Sequence, residues 1–195
     1  MSRHGAVLCG GASRRMGRNK AAIEVDGVPM GRRVAAVLAA AEAHPVVLIG
    51  GDRAELDVLG YDVVADRHPG EGPLGGVITA LEYFSEADDE ALVAVVACDL
   101  PRLHAAVVGE LFTALGDHPD ADVAMARTER RESAVAVWRP SACPALTNVF
   151  AAGTRAVHEA VDALTVVDVT VAADALVNVN DPEQLRALTL DDGSA

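Results

Sequence analysis

Two hydrophobic rhythms alternate along this chain. Short β-branched runs read as buried strands, and between them apolar residues return every three or four positions, the period of an amphipathic helix. Residues 6–9 form the first such run. Val34, Val37, Leu38 and Ala41 then fall at i, i+3, i+4 and i+7 and predict a helix. A strand over 46–49, a short helix over 52–59 and a strand over 61–65 follow, the last ending at Asp66. After a loop rich in glycine and proline, Leu74, Val77, Ile78 and Leu81 mark another helix. Residues 91–98 are wholly apolar, the pattern of a central strand covered on both faces, and Asp99 follows at once. The second half predicts a helix over 104–115, strands over 123–126 and 134–138, helices over 144–151 and 155–164, and a strand over 166–171. Asp181-Pro182-Glu183-Gln184 offers an N-cap, a proline at the first helical position and a capping-box glutamine, so a last helix should open there. Residues 191–195 read as a frayed tail.

Strands alternating with helices predict an α/β fold, a mostly parallel central sheet with helices on both faces. At 195 residues and 51% hydrophobic, the chain is long enough for one good core and short for two, so a single domain over 1–190 is expected. Alanine and valine dominate while aromatics are only 3%, which favours buried parallel strands over an all-β sandwich. No stretch approaches the roughly 20 apolar residues that span a bilayer, and the expectation is a soluble cytoplasmic protein. Cys9, Cys98 and Cys143 are widely spaced and suit small buried positions better than a disulfide framework or a zinc site. A net charge of −13 argues against general binding to nucleic acid or to an anionic membrane.

Against that acidic background the basic cluster Arg14, Arg15, Arg18 and Lys20 stands out. Lys20 is the chain's one lysine, at the end of a glycine-bearing loop after the first strand. It reads either as a solvated surface residue or as a compact ammonium for a phosphate oxygen, with glycine-loop amides serving the rest of the anion. In open α/β sheets ligands bind beyond the carboxyl ends of the strands, and three loops fall there: 10–20, 66–76 and 99–101. The first is not a Walker A loop, because only two residues separate Gly17 from Lys20 and neither Ser nor Thr follows. The second matches G-x-G-x-x-G at 70–75 but is set off from its strand, so its glycines read as a turn that lets a flat base approach the backbone, or as an ordinary loop before a helix. Asp99 could ligate Mg²⁺ that bridges nucleotide phosphates, or cap the next turn. No serine, histidine and acid are grouped for nucleophilic catalysis. An acceptor phosphate, already anionic, would need only positioning and charge stabilisation.

Four segments taken together, residues 8–20 (LCGGASRRMGRNK), 72–76 (GPLGG), 98–101 (CDLP) and 178–183 (NVNDPE), resemble the molybdenum cofactor guanylyltransferase family, in matching order over nearly the whole chain. The resemblance implies a Rossmann-like nucleotidyltransferase fold and transfer of GMP from GTP to the terminal phosphate of molybdopterin, with release of pyrophosphate. Residues 1–103 would hold the nucleotide and 104–190 the acceptor. Leu8, Gly10, Gly11, Arg53, Asp66, Gly72, Leu74 and Gly75 would contact the nucleotide, Lys20 would neutralise phosphate charge, and Asp99 would bind Mg²⁺. Arg15, counted with Lys20 and Asp99 as catalytic, would face the pterin with Asn178 and Asn180, and Arg155 would take the acceptor phosphate. Molybdoenzyme apoproteins or their chaperones are the protein partners this implies.

The chain departs from that pattern in places. Cys9 replaces the usual alanine, Gly50-Gly51-Asp52-Arg53 stands where many members carry an asparagine, and Glu132-Ser133-Ala134 lacks a proline. Two other readings stay open, a relative that uses CTP or another phosphorylated acceptor, and a nucleotide-binding protein without turnover.

Overall fold

The computed structural model describes residues 1–10, 19–179 and 184. Its first strand, β1 (Arg3–Leu8), leads to a small hairpin of β2 (Glu24–Val25) and β3 (Val28–Pro29), then α1 (Met30–Ala40), β4 (Val46–Ile49), α2 (Arg53–Leu56) and β5 (Asp62–Val64). The helix α3 (Pro73–Ser85) and the apolar strand β6 (Leu92–Ala97) follow, then α4 (Ala105–Asp117) and the antiparallel pair β7 (Val123–Arg127) and β8 (Arg131–Trp138). Helices α5 (Cys143–Ala151) and α6 (Val157–Ala160) and the strand β9 (Val166–Thr170) complete the described elements.

The large sheet runs β5-β4-β1-β6-β8-β7-β9. Every neighbouring pair is parallel except the two made by β8, so among the described strands β8 alone is reversed. Side chains alternate between two cores, as a pleat buried on both sides requires. Val7, Leu48, Ala94 and Val96 point to the face covered by α1 and α4, where Leu38, Leu111 and Phe112 meet them. Ala6, Val47, Val93, Val95 and Trp138 point to the other, packing with Ile78, Leu81 and Phe84 of α3 and Leu146 and Phe150 of α5. The expected mostly parallel α/β sheet with helices on both faces is therefore present. Among the described residues no helix is long and apolar enough to cross a membrane.

Several boundaries differ from the sequence expectation for physical reasons. β1 begins at Arg3 because Arg3 to Leu8 pair in full with Leu92 to Ala97, which pattern alone does not reveal. β8 begins at Arg131 because Arg131 pairs with Arg127, drawing polar residues into the ladder. The helix expected over 155–164 is only α6 and a 3₁₀ turn, since Ala156 is extended at φ −88°, ψ 132° and leaves Arg155 outside. The hairpin was not expected, although Asp26-Gly27 between two valines is a strong short-range hairpin signal; both take positive φ, 51° and 72°, as a type I′ turn requires. The helix opening at Asp181 and the tail lie outside the described residues.

Candidate active site

At the carboxyl edge of β1, β4 and β5 the chain turns so tightly that neighbouring loops share carbonyls. The N–H groups of Cys9 and Gly10 both donate to Ile49 O, at 2.9 and 3.2 Å, and Gly50 N–H donates to Val64 O at 2.9 Å. A β-carbon on Gly50, which has φ 71°, would lie 3.2 Å from the Gly10 α-carbon, so two backbones approach here without side chains between them.

Lys20 stands on a 3₁₀ turn over Lys20–Ala22, held from two sides. Asn19 Oδ1 accepts the Ala21 N–H at 3.0 Å, and Ala21 lies so close to Gly31 of α1 that a β-carbon there would come within 2.8 Å of it. The Lys20 ammonium donates to Asp99 Oδ2 at 3.1 Å, joining residues 79 apart in sequence. Their side chains keep 22% and 16% of their accessible surface, sheltered yet open to a ligand. Asp99 is in turn fixed from behind. Its carbonyl accepts the N–H of Val179 at 3.0 Å, and the Val179 side chain is buried with Ile23, Val25 and Met30. The hairpin thus supplies an apolar seat for the segment that follows β9.

A second carboxylate, Asp66, has one oxygen committed to structure. Its Oδ1 accepts the His68 N–H at 2.9 Å and sits 3.2 Å from the hydroxyl of buried Thr79, which itself accepts the Arg67 N–H at 3.1 Å. Oδ2 is turned towards Gly10, 3.6 Å from where a β-carbon would stand. Between Asp66 and α3 the chain passes through Gly70 and Gly72, at φ 79° and 90°, into Pro73, the first residue of the helix. A helix start offers unpaired N–H groups and the positive end of the peptide dipoles, which suits an anion.

These parts enclose a cavity of about 470 Å³. Leu8, Gly10, Lys20, Asp66, Gly72 and Asp99, all expected from the sequence, line it. So do Cys9, Ile49, Pro73, Ala97 and Cys98, apolar or weakly polar residues that carry little sequence signal for a site. Contact with the Cys98 thiol, followed by burial, pushes the Cys9 thiol well above its ordinary value and keeps it protonated. Among the described residues, a larger cleft of about 590 Å³ beside α5 has Asp89 as its one charged lining residue, and so lacks the opposed charges that phosphate chemistry needs.

The remaining expected residues are dispersed. Leu74 is fully buried in the α3 core, with its N–H donated to Arg155 O at 3.3 Å. Gly75 presses on His68, where a β-carbon would come within 2.7 Å of the His68 β-carbon. Arg53 is exposed on α2, 3.8 Å from Asp57, and is not part of the cavity lining. Asn178 is exposed immediately before Val179, at the margin beside Asp99. Arg155 lies outside the lining, its guanidinium bonded to carbonyls and to Glu71. Gly11, Arg15 and Asn180 lie outside the described residues.

Residues 5–167 match the family model described as MobA-like NTP transferase domain. The chain is 33% identical over 184 residues to a molybdenum cofactor guanylyltransferase from Rhodobacter capsulatus, a match covering 93% of this chain and 92% of that one. With a probable molybdenum cofactor guanylyltransferase from Opitutus terrae it shares 41% identity over 107 residues, 55% of this chain and about half, 52%, of the relative. Its fold superposes on the crystal structure of molybdopterin-guanine dinucleotide biosynthesis protein A from Archaeoglobus fulgidus with a TM-score of 0.80 at 22% identity, covering 98% and 100% of the two chains. The chain belongs to the MobA-like NTP transferase family, and is a nucleotidyltransferase.

Proposed function

We propose that this protein transfers GMP from GTP to the terminal phosphate of molybdopterin, forming molybdopterin guanine dinucleotide and releasing pyrophosphate. The observation that carries the reading is the Lys20–Asp99 pair in the wall of a glycine-lined cavity, in a chain whose relatives over nearly its whole length are named molybdenum cofactor guanylyltransferases. In the reaction a phosphate oxygen of the acceptor attacks the α-phosphorus of GTP, and the bond from that phosphorus to the β-phosphate bridging oxygen breaks. The electron pair leaves with pyrophosphate. The attacking phosphate is already anionic, so no general base is required, which suits a cavity whose described lining residues include no histidine.

Residues 1–103 would hold GTP and residues 104–190 would meet the acceptor. The backbone at Leu8 and Gly10 would let the nucleotide approach closely, with Gly11 as a further expected contact, and Gly72, at the turn into α3, would face the base. Lys20 would exchange part of its contact with Asp99 for an α- or β-phosphate oxygen, offsetting charge as the leaving group departs. Asp66 Oδ2 and Arg53 would contact the nucleotide, while Arg15, Asn178 and Asn180 would orient the pterin.

The donor set fits Mg²⁺. Among the described residues no three His, Cys, Asp or Glu side chains gather into a cage, but Asp99 and Asp66 are hard oxygen donors on one cavity, and Mg²⁺ takes one or two carboxylates and completes its shell from phosphates and water. Asp99 would hold the ion, which when bound neutralises phosphate charge and orients the polyphosphate. Product would pass to molybdoenzyme apoproteins or their chaperones.

Pyrophosphate release with molybdopterin as acceptor tests the reading, comparing GTP, CTP and ATP with and without Mg²⁺. Release with GTP and Mg²⁺ alone is the expected result. Preference for CTP would move the protein to a sister activity, and no release from folded protein with competent acceptor would overturn the transfer itself.

A further inference from the structure

Arg155 was expected to take the acceptor phosphate, yet its fork faces another way. Nη1 donates to Phe150 O at 2.7 Å and to Thr154 O at 3.0 Å, and Nη2 donates to Glu71 Oε2 at 2.8 Å. Its guanidinium carbon lies 4.0 Å above the Phe150 ring. The backbone of the same residue also touches the glycine turn. Arg155 O accepts the Leu74 N–H at 3.3 Å, and a β-carbon on Gly72 would stand 3.0 Å from that oxygen.

We infer that Arg155 is a positioning residue for the nucleotide, fixing the 70–74 turn through Glu71 and Leu74 rather than binding the acceptor. The turn needs such support. Gly70 and Gly72 both have positive φ, and glycine in that region is easily displaced because neighbouring conformations cost it little. Glu71 N–H to His68 O at 3.2 Å is its own internal tie. The outer ties converge on Phe150. Arg155 stacks on that ring, and the His68 ring meets it at 4.6 Å while the His68 backbone is held by Asp66. Both ends of the segment from Asp66 to Gly75 therefore lean on one aromatic side chain of α5. A planar fork that stacks and bonds in fixed directions does this; a lysine ammonium could not.

This inference rests on the proposed nucleotide site, and its test separates the two. Amide exchange over residues 70–75, read without ligand, should quicken in Arg155→Ala and Glu71→Gln. Equilibrium binding of GTP, CTP and ATP to the parent protein establishes which nucleotide it prefers, and that preference alone judges the guanylyl reading. For the preferred nucleotide, Arg155→Ala should weaken binding about tenfold, because a small misplacement of a contact surface is costly, and leave the KM for molybdopterin unchanged. Arg155→Lys should behave like Arg155→Ala, and the Arg155→Ala, Glu71→Gln double variant should be no worse than its weaker parent. Glu71 is half-exposed, so Glu71→Gln decides if Arg155→Ala does not fold. A raised molybdopterin KM with nucleotide affinity intact, recovery by lysine, or unchanged exchange over the turn would overturn the inference.

Discussion

The carboxyl edges of β5, β4, β1 and β6 and the neighbouring edge of β8, β7 and β9 belong to one sheet but treat their polar groups differently. On the first, successive parallel strands run on into loops, so Gly10 and the glycines at 70 and 72 join Lys20, Asp66 and Asp99 around a cavity. On the second, the reversal of β8 closes a hairpin, and the side chains there satisfy one another. Asp168 accepts from Arg131 at 2.7 and 3.3 Å and from Arg127 at 3.0 Å, and Glu132 accepts from the Thr128 hydroxyl at 2.7 Å. Parallel crossover connections bring charges from distant loops together on a cavity wall, where Lys20 and Asp99 bond each other beside open space, while an antiparallel return pairs charges along the sheet itself.

The same chemical change on each edge tests that contrast. Asp99→Asn keeps the shape of the side chain and removes its charge, and turnover should fall by about 10³-fold, the upper end of the scale for losing a preorganised group at developing charge. Its melting temperature should stay near that of the parent, because the Val179 bond uses the backbone of residue 99. Near-normal turnover would remove Asp99 from the chemistry. Lys20→Ala should cost about 10²- to 10³-fold in kcat/KM. Lys20→Arg should restore little of it, since the guanidinium is broader than the ammonium now seated beside Asp99. Full recovery by arginine would mean that the position requires only charge.

Gly75→Ala should be milder and of another kind. The new β-carbon would fall 2.7 Å from the His68 β-carbon, which is rigid main-chain neighbourhood and not the far end of a flexible side chain. Overpacking of this sort typically costs about 1 to 3 kcal/mol. Denaturant unfolding should register that loss, and the KM for the nucleotide should rise because His68 and the glycine turn are pushed apart. Unchanged stability would show that the turn yields easily, which would also weaken the case for its support by Arg155.

How much of this was readable beforehand follows the same divide. β4 matches its expected span, 46–49, because four apolar residues buried on both faces leave no competing pattern. The meeting of Lys20 and Asp99 was foreseeable because each follows a parallel strand, and adjacent parallel strands deliver their ends to one place. What escaped was long-range or chemically quiet. Arg155 was expected at the acceptor phosphate, and its place against the 70–74 turn shows only once Phe150 and Glu71 are seen around it. Cys9 and Cys98 look like core residues, and they are, at 3% and 6% exposure, yet they also form part of the cavity wall. The β8 start at Arg131 depends on cross-strand partners that no local period records. The Asp26-Gly27 hairpin was legible, but two-residue strands give too short an alternation to draw notice beside it.

Asp168→Asn is the quiet counterpart of Asp99→Asn. The hydrogen bond from Arg131, joined by the charges of Arg131 and Arg127, holds the Asp168 carboxyl below the usual carboxylate range, and the same contact pushes Arg131 up. A carboxyl whose folded value lies below its unfolded value, about 3.9 for aspartate, adds stability above that unfolded value and loses it as the pH falls through the folded one. Since the three side chains retain 26 to 45% of their surface, solvent screens the pairs and the contribution should not exceed about 1 kcal/mol. Thermal melts should therefore show Asp168→Asn slightly less stable than the parent at pH 7, with the gap closing once the pH drops below the carboxylate range, and with kcat/KM unchanged throughout. A gap that persists in acid would mean that packing rather than charge holds this edge. A fall in turnover at full stability would instead bring Asp168 into the reaction and erase the distinction between the two edges.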